Sequence, residues 1–389
     1  MDLIQRFLNQ FPGDQPRLFF SPGRVNLIGE HIDYNGGFVF PAAIHLGTYG
    51  AVRKRKDALI RLYSYNFMEQ GLISTDLHQL HYDDNQGWAN YAIGIIHELM
   101  QRGAKIACGF DLLIWGNLPP QSGLSSSASL EVLVAYICNT LYDLGLSRQE
   151  MALLGQHVEN HFMGMHCGIM DQLAISSGMK DHGLLMNTDT LEVVPARAQF
   201  EGYTWLIMNT NYKRKTTESK YNERVKECKE ALQKLALKKR VVHLCEYTIS
   251  DLDWIHQELT DPILWKRVRH VVTEQARTIL AKTMMEEHDV MGFAKLLDQS
   301  HQSLKEDYEV TGIYLDKLVG AAKASGACGA RVTGAGFGGC AIALVRNDQI
   351  KSIQQDISRI YQQKTGLMPS FYVVHFVDGV RELTGDDQR

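Results

Sequence analysis

The sequence contains no C-x-x-C pair. Its seven cysteines, Cys108, Cys138, Cys167, Cys228, Cys245, Cys328 and Cys340, are scattered and odd in number. Neither a disulfide framework nor a thiolate zinc site follows from that spacing. Reduced, mostly buried thiols of a cytoplasmic protein are expected instead. No stretch approaches the ~18–20 apolar residues of a membrane span. The opening MDLIQRFLNQFPGD carries Asp2 and Arg6 and has no apolar h-region, so no signal peptide and no membrane partner are expected. Basic charge is not in excess either: 40 Lys+Arg stand against 44 Asp+Glu, a formal net charge of −4. Nucleic acid is therefore not the expected partner, because phosphate backbones need a basic surface. The short runs Arg53-Lys54-Arg55-Lys56 and Lys238-Lys239-Arg240 read as solvated surface. There is no low-complexity linker and no short-period repeat. With 45% hydrophobic residues the chain is too apolar for disorder.

What is present is a chain of 389 residues, longer than a single core usually grows. Two lobes are expected, with a boundary near residues 190–205 and a small-molecule site between them. Residues 18–20, 38–40, 47–52, 60–65 and 109–115 read as strands, and 90–101 as a helix. Residues 127–144 give the clearest helix. Leu130, Leu133, Val134, Ile137, Cys138 and Leu141 repeat on one face. Strands follow at 184–186 and 204–209, then helices at 219–237, 265–283, 291–303 and 316–324. Residues 329–333 read as a glycine-rich turn and 340–345 as a strand.

Four segments carry chemistry. Pro119-Pro120-Gln121-Ser122-Gly123-Leu124-Ser125-Ser126-Ser127-Ala128-Ser129 joins a strand to the long helix. Its serines suit helix capping. Free N–H groups at the positive end of the helix dipole also suit a phosphate. It is not a Walker A loop, which needs a lysine that is absent here. A loop hydroxyl could ligate magnesium. Gly334-Ala335-Gly336-Phe337-Gly338-Gly339 matches G-x-G-x-x-G literally, but an apolar strand follows it instead of a helix. It reads as a turn that lets backbone come close to a ligand or another loop.

The segment from Ser21 to Gly37 packs Arg24, Glu30, His31 and Asp33 among glycines. Carboxylates and an imidazole in one turn suit neighbouring hydroxyls, hence a sugar or polyol. An internal Arg–Glu pair in a polar loop is the plainer alternative. The fourth segment holds Glu159 on a helical stretch and Asp171 after a glycine break. Asp171 stands between Ile169, Met170 and Leu173, which predicts burial. A buried carboxylate beside an arginine is a candidate general base. His157 and His161 have an i, i+4 spacing, but H-x-E-x-H is not the metalloprotease order, and ordinary histidines are expected.

Together, G-R-V-N-L-I-G-E-H-x-D-Y-N-G-G, G-L-S-S-S-A-S, C-G-I-M-D-Q and G-A-G-F-G-G-C resemble the galactokinases, a branch of the GHMP kinases, over residues 8–380. The resemblance implies an α+β, two-lobed GHMP-kinase fold. Residues 1–200 would form a ribosomal-protein-S5-like lobe with the sugar segment and phosphate loop. Residues 201–389 would form a ferredoxin-like α/β lobe with the late glycine loop. It implies transfer of phosphate from ATP, with Mg2+, to the anomeric hydroxyl of galactose, the step that commits the sugar to breakdown. A monomer is the default expectation.

Position by position, Glu30, His31, Asp33 and Tyr221 match sugar contacts, Asp171 the catalytic base and Arg24 the cation beside it. Gln121, Ser122, Gly123, Leu124, Ser125, Ser126 and Ser127 match the phosphate loop, Ser127 and Glu159 the magnesium ligands, and Ser64 a nucleotide contact. By its sequence alone Tyr221 reads as a helix tyrosine packed between lobes. Two departures stand out: Gln121-Ser122 replaces a more glycine-rich stretch, and Met186-Asn187-Thr188-Asp189-Thr190 replaces a D-C-R-type segment. Two alternatives stay open, a GHMP kinase for a shifted substrate such as N-acetylgalactosamine, and a catalytically silent galactose/ATP sensor.

Overall fold

The computed structural model describes residues 2–119, 122–165, 167–212 and 217–384, without the side chains of Thr217 and Glu218. Gln121 of the phosphate loop lies outside the described residues. Along the first half run α1 (Leu3–Gln10), β1 (Arg17–Asn26), β2 (Phe38–Val39), β3 (Pro41–Lys54), β4 (Leu59–Ser64) and β5 (Ile73–Asp76). They are followed by α2 (Ala89–Gln101), β6 (Phe110–Gly116), α3 (Ser126–Tyr142), α4 (Arg148–His157), α5 (Met170–Ser177), β7 (His182–Asn187) and β8 (Val193–Arg197). The second half comprises β9 (Tyr203–Asn209), α6 (Thr217–Ala236), α7 (Leu252–Glu258), α8 (Pro262–Glu286), α9 (Val290–Glu306) and α10 (Gly312–Ala324). It ends with β10 (Gly329–Val332), β11 (Cys340–Arg346), α11 (Ile350–Thr365), β12 (Ser370–Val374) and β13 (Arg381–Glu382).

Three sheets organise these elements: six strands ordered β13-β1-β3-β6-β4-β5, three ordered β2-β7-β8 and four ordered β10-β11-β9-β12. In the first, β4 and β6 run parallel, with α2 as the crossover such a pair requires. The four-stranded sheet is antiparallel throughout. Its chain order, strand, helices, two strands, helix, strand, with the first and third strands in the middle, is the split β-α-β arrangement of a ferredoxin-like lobe. The change of sheet falls between Arg197 and Tyr203, and β13 returns to pair with β1.

Helix α3 lies between the first sheet and its neighbouring helices. Its expected face, from Leu130 to Leu141, is buried, and so are Val132 and Ala135. A helix apolar on nearly every side is an interior helix, and its N-terminus is thereby fixed from within. Residues 329–333 are not a turn: 329–332 form β10, paired with β11 and packed on α9. Glycine at 329 is required because a Cβ there would stand 2.4 Å from the Ala294 carbonyl oxygen. That glycine and the fully buried Arg331 give a strand the look of a polar turn.

Candidate active site

Strand β1 buries nine of its ten residues and carries Arg24 into the interior. Asp171 opens α5. Arg24 meets it with two parallel bonds, Nε to Oδ1 and Nη2 to Oδ2, both 2.9 Å. A fork against a carboxylate fixes both groups in plane. Arg24 Nη1 also donates to the Gly123 carbonyl at 2.7 Å, so one side chain ties the base candidate to the phosphate loop. Asp171 is not buried as its neighbours predict; 30% of its side chain is exposed. Helical geometry turns Met170, Leu173 and Ala174 inward and leaves Asp171 on the wall of a cavity.

That cavity, about 260 Å³, is lined by Arg24, Glu30, His31, Asp33, Asp171 and Tyr221, among others. The segment from 21 to 37 thus meets the segment from 159 to 172. The internal Arg–Glu pair does not form: Arg24 takes Asp171, and Glu30 takes Arg331 from β10. Glu30 Oε1 also accepts from the Gly334 amide at 3.1 Å. Burial pushes the Glu30 carboxyl upward, against the pull of Arg331 and Arg24. Asp33 is lifted to about 7, by burial first and then by the charges of Asp171 and Glu30. Gly168 admits Asp33, since a Cβ there would stand 1.9 Å from Asp33 Oδ2.

His31 adopts φ +63°, which a side chain of its size rarely takes. Its Nε2 lies 3.2 Å from the Ala335 carbonyl and its Nδ1 3.0 Å from the Tyr34 hydroxyl. A carbonyl only accepts, so Nε2 carries the proton and Nδ1 accepts from Tyr34. Tyr308 then donates to Tyr34 at 2.8 Å. Burial drives His31 down to about 3, so the ring is neutral. Tyr221, on α6, sets its ring 5.7 Å from His31 and 5.3 Å from Tyr34, between the lobes and on the cavity wall at once.

The phosphate loop is not capped in the usual way. Ser125 occupies the N-cap of α3 with φ +63° and no side-chain cap bond. Its hydroxyl donates to Asp171 Oδ2 instead. Ser122 is buried and donates to the Pro119 carbonyl at 2.7 Å, and Leu124 packs into the core. Ser126 and Ser127 line a second cavity of about 370 Å³ with Ser64, Trp88, Tyr91 and Ile114. Ser125 thus joins the two cavities in sequence. Gly334 closes in from the second lobe at φ +79°, where a Cβ would come 2.9 Å from the Gly123 carbonyl oxygen. The late glycine loop does bring backbone against another loop.

Ser127 Oγ donates to Glu159 Oε1 at 3.0 Å. Glu159 sits in a π-helical turn, Val158–Phe162, that extends α4. Its Oε2 accepts from Gln172 at 2.7 Å, and Gln172 also reaches the fully buried Glu131 at 3.2 Å. Burial raises the Glu159 carboxyl, helped by the charge of Asp171. Two hard oxygen donors side by side, one of them a buried carboxylate, fit magnesium. His157 and His161 stand apart from this set. Their rings stack 4.2 Å apart, and His157 faces Glu98.

Sequence reasoning missed Arg331, Tyr34 and Tyr308. Tyr34 stands directly after Asp33, an expected contact. Arg331 carried no signal, because its partner is about three hundred residues away in the chain.

Three family models match the chain. Residues 5–54 match the model for the galactokinase galactose-binding signature, 90–179 the GHMP kinases N terminal domain and 280–363 the GHMP kinases C terminal. A galactokinase of Enterococcus faecalis is 47% identical over 98% of this chain and 99% of its own. One from Staphylococcus saprophyticus is 46% identical over 94% and 95%. The crystal structure of Lactococcus lactis galactokinase complexed with galactose superposes with a TM-score of 0.95, 43% identity and coverage of 98% and 99%. Methanococcus jannaschii mevalonate kinase, at a TM-score of 0.68 and 20% identity over 94% of this chain and 100% of its own, shares the two-lobed fold. A cleft built from the sugar segment, the serine loop and the late glycine loop, on a chain so similar to these relatives from end to end, has one family to which it belongs: the chain is a member of the galactokinases, kinases of the GHMP fold.

Proposed function

We propose that the chain transfers the γ-phosphoryl group of ATP to the anomeric hydroxyl of α-D-galactose, releasing ADP and galactose 1-phosphate. The observation that carries this reading is the fork of Arg24 on Asp171 in the wall of the first cavity, tied through Arg24 to Gly123 of the serine-rich loop. The cavity with Glu30, His31, Asp33 and Tyr221 takes the sugar, its carboxylates facing hydroxyl groups. The aromatic-walled cavity with Ser64, Trp88 and Tyr91 takes the nucleotide base. The N-terminus of α3, between them, holds the phosphates.

Asp171 accepts the proton of the anomeric hydroxyl as its oxygen bonds to the γ-phosphorus, and the bond to the bridging oxygen of ADP breaks. Asp171 Oδ2 already accepts from both Arg24 and Ser125, and Oδ1 accepts from Arg24, so it is Oδ1 that keeps a lone pair for the sugar. Arg24 aims that carboxylate and offsets charge on the moving group. Ser127 and Glu159 would hold magnesium, which when bound would supply charge neutralisation to the phosphates. This placement of base, cation and donors favours a catalyst over a silent sensor.

The reaction is tested by ADP release with magnesium-ATP on galactose, N-acetylgalactosamine, glucose and mevalonate in parallel. Galactose is the preferred acceptor on this reading, and turnover favouring another member of the panel reassigns the substrate. Glu159→Gln should raise the magnesium concentration for half-maximal rate by about tenfold or more, the cost of losing one charged ligand. Binding of Mn2+ to the nucleotide-loaded protein, followed by electron paramagnetic resonance, should weaken in parallel. An unchanged metal requirement assigns the ligand elsewhere.

Seven free cysteines support a reducing, cytoplasmic setting. No helix among the described residues is long and apolar enough to cross a membrane.

A further inference from the structure

Segment 29–31 is under backbone constraint, with Gly29 at φ +94° and His31 at φ +63°. Such a geometry persists only where the surroundings over-determine it. The surroundings here are one face of α8. Glu274 Oε1 accepts from the amides of both Gly29, at 3.0 Å, and Glu30, at 3.3 Å. Two successive amides converging on one anion form a backbone nest. Ser300 on α9 donates to the same oxygen at 2.6 Å, and Arg277 to the other at 2.8 Å. Burial would lift this carboxyl, yet Arg277, His270 and Arg331 bring it down to about 2, so it is charged at neutral pH.

One turn earlier on the same helix face, His270 Nε2 lies 3.0 Å from the Glu30 carbonyl. That carbonyl fixes the proton on Nε2. Both Glu274 and His270 are fully buried, and neither lines the sugar cavity. One position further, Gln275 Oε1 accepts from the Phe38 amide at 2.8 Å and holds the far end of the same loop.

We propose that Glu274 and His270 are positioning residues for the sugar site. They hold the backbone of Glu30 on both sides, amide and carbonyl, and so set the directions of the Glu30 and His31 side chains before galactose arrives. The inference rests on the reading of that cavity as the galactose site. Preorganisation of this kind raises affinity by removing the ordering cost of binding. The pair stands at i, i+4 on a helix face that also buries Arg267 and Thr278.

The test is calorimetric titration of the purified full chain with galactose, and separately with magnesium-ADP, for the wild type, Glu274→Gln, His270→Leu and His270→Gln. Glu274→Gln removes the charge the two amides share, and His270→Leu removes the donor. Each should weaken galactose by about tenfold or more, the usual worth of a hydrogen bond to a charged or buried group. His270→Gln restores a donor and should recover most of the affinity that His270→Leu loses. The magnesium-ADP dissociation constant should stay within about twofold throughout, which a general loss of folding could not produce. Variants that bind galactose as the wild type does overturn the inference, as do variants that lose galactose and nucleotide alike. A wild type that binds no galactose overturns the reading of the cavity itself, and this inference with it.

Discussion

Asp171→Asn should lower kcat for galactose by a factor of about 10²–10⁴, the range a general base contributes, while galactose still binds. The amide keeps the shape and one acceptor oxygen, so the Arg24 fork is weakened but not emptied. It cannot take the hydroxyl proton. The two effects separate in a single-turnover experiment with the variant saturated in both substrates, where only chemistry is read. Arg24 contacts the phosphate loop at Gly123 as well as Asp171. Its replacement should therefore raise the KM for ATP in addition to lowering kcat. Near-normal turnover in Asp171→Asn would move the proton to another group and leave positioning as the site's whole contribution.

Arg331→Met should destabilise the chain by about 3–5 kcal/mol, the cost of removing one partner from a buried ion pair. Arg331 is fully buried, Glu30 is 2% exposed, and the two face each other across the lobes. Arg331 Nη1 also donates to the Asn26 carbonyl at 3.1 Å, so the pair joins β10 to the end of β1. Without the guanidinium, Glu30 must lose its charge or remain buried with it. The double variant Glu30→Gln, Arg331→Met should recover part of the loss, because the orphaned charge is gone. Urea unfolding followed by tryptophan fluorescence reads this as a lower midpoint in the single variant and a partial return in the double. Equal midpoints in the two would mean that the pair is not coupled.

These two sites differ in how much of them the sequence exposes. Asp171 is legible because it stands in a short segment with a glycine break, but its exposure is not. Three apolar neighbours suggest burial, whereas helix geometry turns them inward and the carboxylate outward. The serines at 125–127 are legible as a phosphate seat, while the role of Ser125 is not: a cap residue forced to positive φ gives its hydroxyl to Asp171. The periodic helix α3 and the strands with apolar runs stand out because their burial is continuous. Strand β10 does not, because glycine and a buried arginine replace the apolar alternation. Helix α11 lies outside the elements expected from the sequence, although Ile353, Ile357 and Tyr361 mark its buried face. Contacts such as Glu274 to Gly29 cross about 245 residues. No local pattern records them, and only the packing of α8 against the sugar segment brings them together.

The most direct measurement is phosphorus and proton nuclear magnetic resonance of the product formed from galactose and magnesium-ATP. The account predicts one sugar phosphate whose phosphorus couples to the anomeric proton in the α configuration, with one ADP released for each. Phosphorus coupled to the C6 protons, or ADP formed without any sugar phosphate, would contradict it.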